Sequence, residues 1–196
     1  MRVLVAGRDP LLEEALEQRG LALVRDEPEA EALVTLAPPA ELRAVAELEP
    51  DDWQRVFLSV AEEPFFSAQP WLRSAYARGS GTWVAVTSVL ATQPFPGGVS
   101  GAAALALQTL VRIAALEGVR ANVVAPGWRE DRLPEALDTE LAVSDTPDRR
   151  LVSAEDVAAA VAWLLSDESG HVNGEVLRVD GGYTITRGSR PDPRKE

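Results

Sequence analysis

Arg2-Val-Leu-Val-Ala-Gly-Arg-Asp-Pro-Leu-Leu-Glu-Glu-Ala-Leu-Glu-Gln-Arg-Gly20 reads as strand, turn and helix in that order. Val3 to Ala6 is continuously apolar, as a strand buried on both faces requires. Gly7 ends it. Asp9 and Pro10 then supply a helix N-cap and a proline at the first helical position. Leu11, Leu12, Ala15 and Leu16 form an apolar stripe at helical spacing, and Gly20 closes the helix. Outward from this unit the same alternation continues. Strands are predicted at 21–24, 32–36, 82–87, 119–124 and 175–179, with helices at 40–49, 51–78, 100–116 and 154–165. Pro64 and Pro70 interrupt the long one. Short apolar runs alternating with helical patterns predict an α/β fold around a parallel sheet. One connection strains the scheme. Only seven residues separate Val24 from Ala32, whereas a parallel crossover usually takes about a dozen or more.

The 196 residues suit a single domain over 1–186, followed by a polar tail over 187–196. Cysteine is absent, which excludes disulfides, thiolate metal sites and thiol nucleophiles. His171 is the only histidine, so neither a histidine-based metal site nor a catalytic triad is expected. A net charge of -12 repels phosphate backbones and argues against nucleic-acid binding. No apolar run approaches the length of a membrane span. A cytoplasmic protein without nucleic-acid or membrane partners is expected.

From Asp52 onward the sequence resembles the short-chain dehydrogenase/reductase (SDR) family. The resemblance is carried by Trp53-Gln-Arg-Val-Phe57, Pro64-Phe-Phe66, Trp83-Val-Ala-Val-Thr-Ser-Val89, Arg112-Ile-Ala-Ala-Leu-Glu117, Val119-Arg-Ala-Asn-Val-Val-Ala-Pro-Gly127, Glu155-Asp-Val-Ala158 and Asn173-Gly-Glu-Val-Leu-Arg-Val-Asp-Gly-Gly182. These segments stand in family order and at family spacing. The resemblance implies a Rossmann-type, doubly wound, mostly parallel sheet of about six strands, with ligands at the carboxyl ends of the strands. It also implies truncation relative to the family, since a further strand and two helices on the adenine side have no counterpart. The activity implied is hydride transfer between NAD(P) and a carbonyl or alcohol.

The chain departs from that pattern where the chemistry sits. The family's glycine-rich turn offers backbone amides to a pyrophosphate. Here the turn is cut to Ala6-Gly-Arg-Asp-Pro10, Pro10 removes an amide, and the Asp9 carboxylate competes for the rest. Gly7 and Asp26, placed to approach a cofactor backbone and a ribose, are the remaining candidate cofactor-binding residues; Arg8 reads as a solvated cation. Thr35-Leu-Ala-Pro38 stands where the family has Asn-Asn-Ala-Gly. Matching Leu110 to Glu117 onto the family helix puts Ser100 at the catalytic tyrosine and Ala104 at the lysine, and the supporting asparagine falls on Val60. Only Ser88 keeps a catalytic family position. Ser100, Pro126, Gly127 and Trp128 are expected to line the cleft, with Trp128 as a lid or interface anchor. Tyr76, Tyr183 and His171 lie outside the catalytic positions.

The expectation is therefore an SDR-like protein without its cofactor loop or Tyr/Lys pair. It would bind no cofactor and act as a homo-oligomer (dimer or tetramer), a subunit beside an active SDR, or a small-ligand binder. The alternative is an NAD(P)-dependent oxidoreductase of carbonyl or 3-oxoacyl reductase type with an atypical site.

Overall fold

A computed structural model describes residues 1–186 except Glu27; the tail expected over 187–196 lies outside the described residues. Six strands form one sheet: β1 (Arg2–Ala6), β2 (Ala22–Val24), β3 (Ala32–Leu36), β4 (Thr82–Val86), β5 (Arg120–Pro126) and β6 (Val176–Val179). Their order is β2-β1-β3-β4-β5-β6, and every pairing is parallel. The expected Rossmann-type sheet is thus present, and it is wholly parallel.

Helices cover both faces because the central strands are apolar on both. On one side lie α1 (Pro10–Gln18) and α6 (Ala154–Leu165), with Leu12, Leu16, Val161 and Leu164 packed on Val34 and Val84. On the other lie α3 (Glu63–Arg78) and α4 (Ser100–Glu117), where Trp71 and Leu107 pack with Leu33 and Trp83. Alternate strand residues feed opposite layers, as the period of two demands. A short α2 (Pro50–Phe57) precedes α3, α5 (Thr139–Ser144) lies in the loop after β5, and α7 (Tyr183–Thr186) follows β6.

The short connection between β2 and β3 is bare of helix. It suffices because β2 pairs through only three residues, so the return along it covers about 10 Å. Trp71 supports this link: its Nε1 donates to the carbonyl of Ala30 at 2.8 Å, with both residues buried.

Two expectations fail. The helix predicted over 40–49 is a single 3-10 turn, Val45–Glu47. Pro38, Pro39 and Pro50 bracket that segment, and a residue before proline is pushed out of the helical region. The stretch 51–78 is less broken than its prolines suggest. α2 and α3 are joined through a π-helical segment, Leu58–Glu62, immediately before Pro64, whose missing N–H would otherwise interrupt the ladder. Pro70 is carried inside α3.

The family-like motifs act as fasteners. Asn122 donates from its side chain to the carbonyl of Val172 and accepts from the amide of Glu175, which sets β6 against β5. Arg120 donates to the carbonyls of Leu164, Leu165 and Ser166 and so satisfies the end of α6. The Asp180 carboxylate accepts from the amides of Gly182 and Thr184 and turns the chain after β6.

Trp71→Ala is expected to lower the unfolding free energy by about 3–5 kcal/mol, through lost volume and the orphaned Ala30 carbonyl. Denaturant unfolding followed by circular dichroism checks this, and a change below about 1 kcal/mol would contradict the packing described.

Candidate functional site

The crevice lies at the carboxyl ends of β1, β3, β4 and β5, where a doubly wound sheet changes direction. It has two compartments that share Pro38 and Pro39. The inner one, of about 50 Å³, is walled by Val60, Thr87, Ser88, Ser100, Ala104 and the Pro126–Arg129 stretch, with Arg132 at its edge. The outer one, of about 280 Å³, is lined by Gly7, Arg8, Leu36, Ser59, Glu63 and Ser67.

Each wall has a local cause. Ser88 caps a 3-10 turn, Val89–Ala91, and its Oγ accepts from the Leu90 amide at 3.2 Å. Ser100 is the first residue of α4. Gly101 lets that helix end press onto the turn, since a Cβ there would stand 2.4 Å from the Leu90 carbonyl oxygen. Gln108, one face further along α4, donates to Thr87 Oγ1 at 2.9 Å and to the Ser88 carbonyl at 3.3 Å, which fixes the end of β4. Gly7 adopts φ 101°, and a Cβ on it would meet the Leu36 carbonyl oxygen at 2.5 Å. Only glycine fits that contact.

The β1–α1 turn is closed by charge. Asp9, 1% exposed, caps α1 by accepting from the Leu12 amide at 3.2 Å. Arg129, 5% exposed, donates to both Asp9 oxygens and to both oxygens of Asp131. Burial pulls the Arg129 pKa down, but the hydrogen bonds and charges of Asp9 and Asp131 outweigh it and hold it above the ordinary value. Arg132 stands 3.3 Å from Asp9 and donates to the carbonyls of Ala37 and Arg8. The loop after β5 is thereby laced to the turns after β1 and β3.

Of the residues expected in the cleft, Ser88, Ser100, Pro126, Gly127 and Trp128 do meet in the inner compartment, with Val60 and Ala104 beside them. Ser88 is committed as a cap. Ser100 Oγ is buried and has no hydrogen-bond partner. Trp128 differs from expectation: it is buried between Phe95 and Tyr183, with ring centroids at 5.2 and 6.0 Å. That aromatic packing makes it core to the loop after β5 as well as a cleft wall. Gly7 belongs to the outer compartment. Asp26 is exposed after β2 and lines neither compartment. His171 is exposed. Tyr76 lies on the far face of α3, where burial and the Glu117 carboxylate it donates to push its pKa up to about 12. Such a phenol is protonated at neutral pH. Among the described residues no group of three or more His, Asp or Glu is placed to hold a metal ion.

Sequence reasoning missed Arg129, Arg132, Thr87 and Gln108. The only signal for the first two is the alternation of charge in Arg129-Glu-Asp-Arg132, which equally describes a solvated loop.

Comparison with known proteins places these features. The family described as Enoyl-(Acyl carrier protein) reductase matches residues 23–184. The 3-oxoacyl-(acyl-carrier-protein) reductase FabG of Salmonella typhimurium is 31% identical over 162 residues, covering 79% of this chain, which spans 66% of that reductase's length. An oxidoreductase of the short chain dehydrogenase/reductase family from Burkholderia thailandensis has TM-score 0.80 at 21% identity, covering 94% of this chain and 92% of its own. ElxO with NADP bound has TM-score 0.80 at 17% identity, covering 93% of this chain and 98% of its own. The expectation of no cofactor is corrected by that last finding: a protein of the same fold is solved with NADP in place.

Removing either partner of the buried pair, by Asp9→Ala or Arg129→Met, is expected to cost about 3–5 kcal/mol, because the other charge stays buried and uncompensated. The double variant is expected to lose less than the sum of the two. Additive losses in a double-mutant cycle by chemical denaturation would deny the coupling.

Proposed function

This chain belongs to the short-chain dehydrogenase/reductase family, and from that premise we propose that it is an oligomeric, small-ligand-binding member without the proton relay of a reductase. One observation carries the reading: Val60, Ser100 and Ala104, the positions matched to the family's asparagine, tyrosine and lysine, wall a single compartment beside Ser88. On this reading the places of the constellation are kept and its side chains are replaced. An aliphatic hydroxyl at Ser100 holds its proton far too tightly to act as a tuned acid, and Ala104 offers no cation to lower that barrier.

A nicotinamide dinucleotide is the cofactor the family implies, and the crevice fits one end of it. Thr87 and the Pro126–Gly127 backbone would hold its nicotinamide end, with Ser100 in the wall beside them. At the diphosphate end the fit is poorer, since Asp9 already occupies the Leu12 amide and Arg8 and Arg132 are the cations at hand. Bound there, the group supplies a hydride. The chain's own residues orient it and exclude water, and none of them delivers the matching proton.

Oligomerisation is supported by the outer face of α2 to α4. Trp53, Leu58, Phe66, Leu105, Ile113 and Leu116 are exposed on these elements, and a second subunit would cover such apolar side chains.

A second reading is favoured by the likeness to FabG and by Ser88: an NAD(P)-dependent reductase of the 3-oxoacyl type with an atypical acid. The two separate cleanly. With NADPH and acetoacetyl-CoA, the wild type is expected to turn over poorly, and Ser100→Tyr with Ala104→Lys is expected to raise the rate by roughly 10²- to 10⁴-fold. Wild-type turnover at about 1 s⁻¹ or faster, lost in Ser88→Ala, would favour the reductase instead. For assembly, Leu105→Glu with Ile113→Glu is expected to reduce the mass measured by sedimentation. An unchanged mass would remove that face from the interface.

A further inference from the structure

The short α7 is tied to the loop after β5 by contacts that the cleft chemistry does not use. Asp180 turns the chain after β6, accepting from the amides of Gly182 and Thr184 and from Thr184 Oγ1 at 2.6 Å. The turn presses directly on that loop. Gly181 and Gly182 have φ of 56° and 86°. A Cβ on Gly181 would stand 2.8 Å from Thr146 Cγ2, and one on Gly182 would stand 2.9 Å from Pro147 Cγ. The Asp148 amide donates to the Gly181 carbonyl at 3.3 Å, and Thr186 Oγ1 donates to the Asp145 carbonyl at 3.2 Å.

From this seam one ring reaches inward. Tyr183 is buried and meets Trp128 edge to face, and Phe95, from the loop after β4, meets Trp128 from another side. Trp128 is itself a wall of the inner compartment. These rings belong to a third apolar cluster with Val89, Leu90, Leu137 and Ala142, which shares no buried residue with the two clusters on the faces of the sheet. Its packing can therefore loosen while both helical layers stay in place.

We propose that α7 is a strap over the cleft: Tyr183, docked on Trp128, holds the wall of the inner compartment in place, and release of α7 opens that compartment while the sheet and its two layers remain folded. Tyr183 is a positioning residue that acts through Trp128. Gly181 and Gly182 are the hinge, because glycine moves between left- and right-handed backbone at little cost. A helix of four residues, held by one ring and a few hydrogen bonds, detaches far more readily than the whole domain unfolds. The strap works in the same way whatever the compartment binds, and so goes beyond the functional reading above.

The chain contains no cysteine, so one introduced thiol reports the opening in the full-length protein. Ser100 Oγ is fully enclosed at the compartment wall, and Ser100→Cys puts a thiol there with little change in volume. Val161→Cys, on α6 in the buried layer across the sheet from α4, is the reference. N-ethylmaleimide under native conditions is the probe. Adding Tyr183→Ala is expected to speed labelling of the Ser100→Cys chain by about tenfold or more, and to change labelling of the Val161→Cys chain by less than about twofold. Tyr183→Phe keeps the ring and is expected to label as slowly as the parent. Gly181→Val, which sets a side chain against Thr146 and pries the strap away, is expected to match Tyr183→Ala, and carries the test alone should that variant fail to fold. Unchanged labelling at position 100 would overturn the proposal, since α7 would then not close the compartment. Equal acceleration of both thiols would overturn it too, because Tyr183 would then hold the whole domain rather than one wall.

Discussion

A buried carboxylate, Asp9, holds the working edge of this molecule together. An uncompensated charge at 1% exposure would cost more than most single contacts return. Asp9 is tolerated because it answers three needs at once: an orphan amide at the start of α1, the guanidinium of Arg129 and the nearby guanidinium of Arg132. The amide belongs to α1, and both guanidiniums arrive from the loop after β5. The loop after β5, which carries Trp128 and the short α5, owes its position to these tethers and to the aromatic contacts of Trp128. Without them the inner compartment would have no outer wall.

Much of the scaffold was legible before any coordinates, because it depends on local signals. Continuous apolar runs marked β1, β3, β4 and β5, and Asp9-Pro10 marked the start of α1 from capping chemistry alone. The failures have physical reasons. Residues 40–49 have helical spacing, but the prolines on either side govern their backbone. The Val24–Ala32 connection looked too short only because strand length at a sheet edge is not written in a propensity. Trp128 read as an anchor because an aromatic after Pro-Gly is ambiguous until its neighbours, Phe95 and Tyr183, are known from the fold. Arg129 meets Asp9 across 120 residues, and no periodicity reports such a contact.

The candidate site was half legible for the same reason. Ser88, Ser100, Pro126 and Gly127 could be placed by position in family-like motifs, and the structure gathers them. Gln108 and Thr87 could not, since their roles come from a side-chain bond between α4 and the end of β4. Asp26 follows β2, the edge strand beside β1, is exposed and lines neither compartment.

On the proposed reading, small side chains stand where the family has a phenol and an ammonium, and such a change in a packed interior has two outcomes. Neighbouring side chains collapse into the vacated volume, or a space persists because rigid elements hold its walls apart. Gly101 against the Leu90 carbonyl fixes one end of α4, Gln108 pins β4 to the same helix, and the Asp9 cluster fixes the loop opposite. None of these three supports lies at a position matched to the catalytic groups, so replacing those groups does not loosen them. The space is present, with Ser100 among the residues around it. A cavity whose walls are held from outside in this way keeps its place at the carboxyl ends of the strands whatever side chains line it.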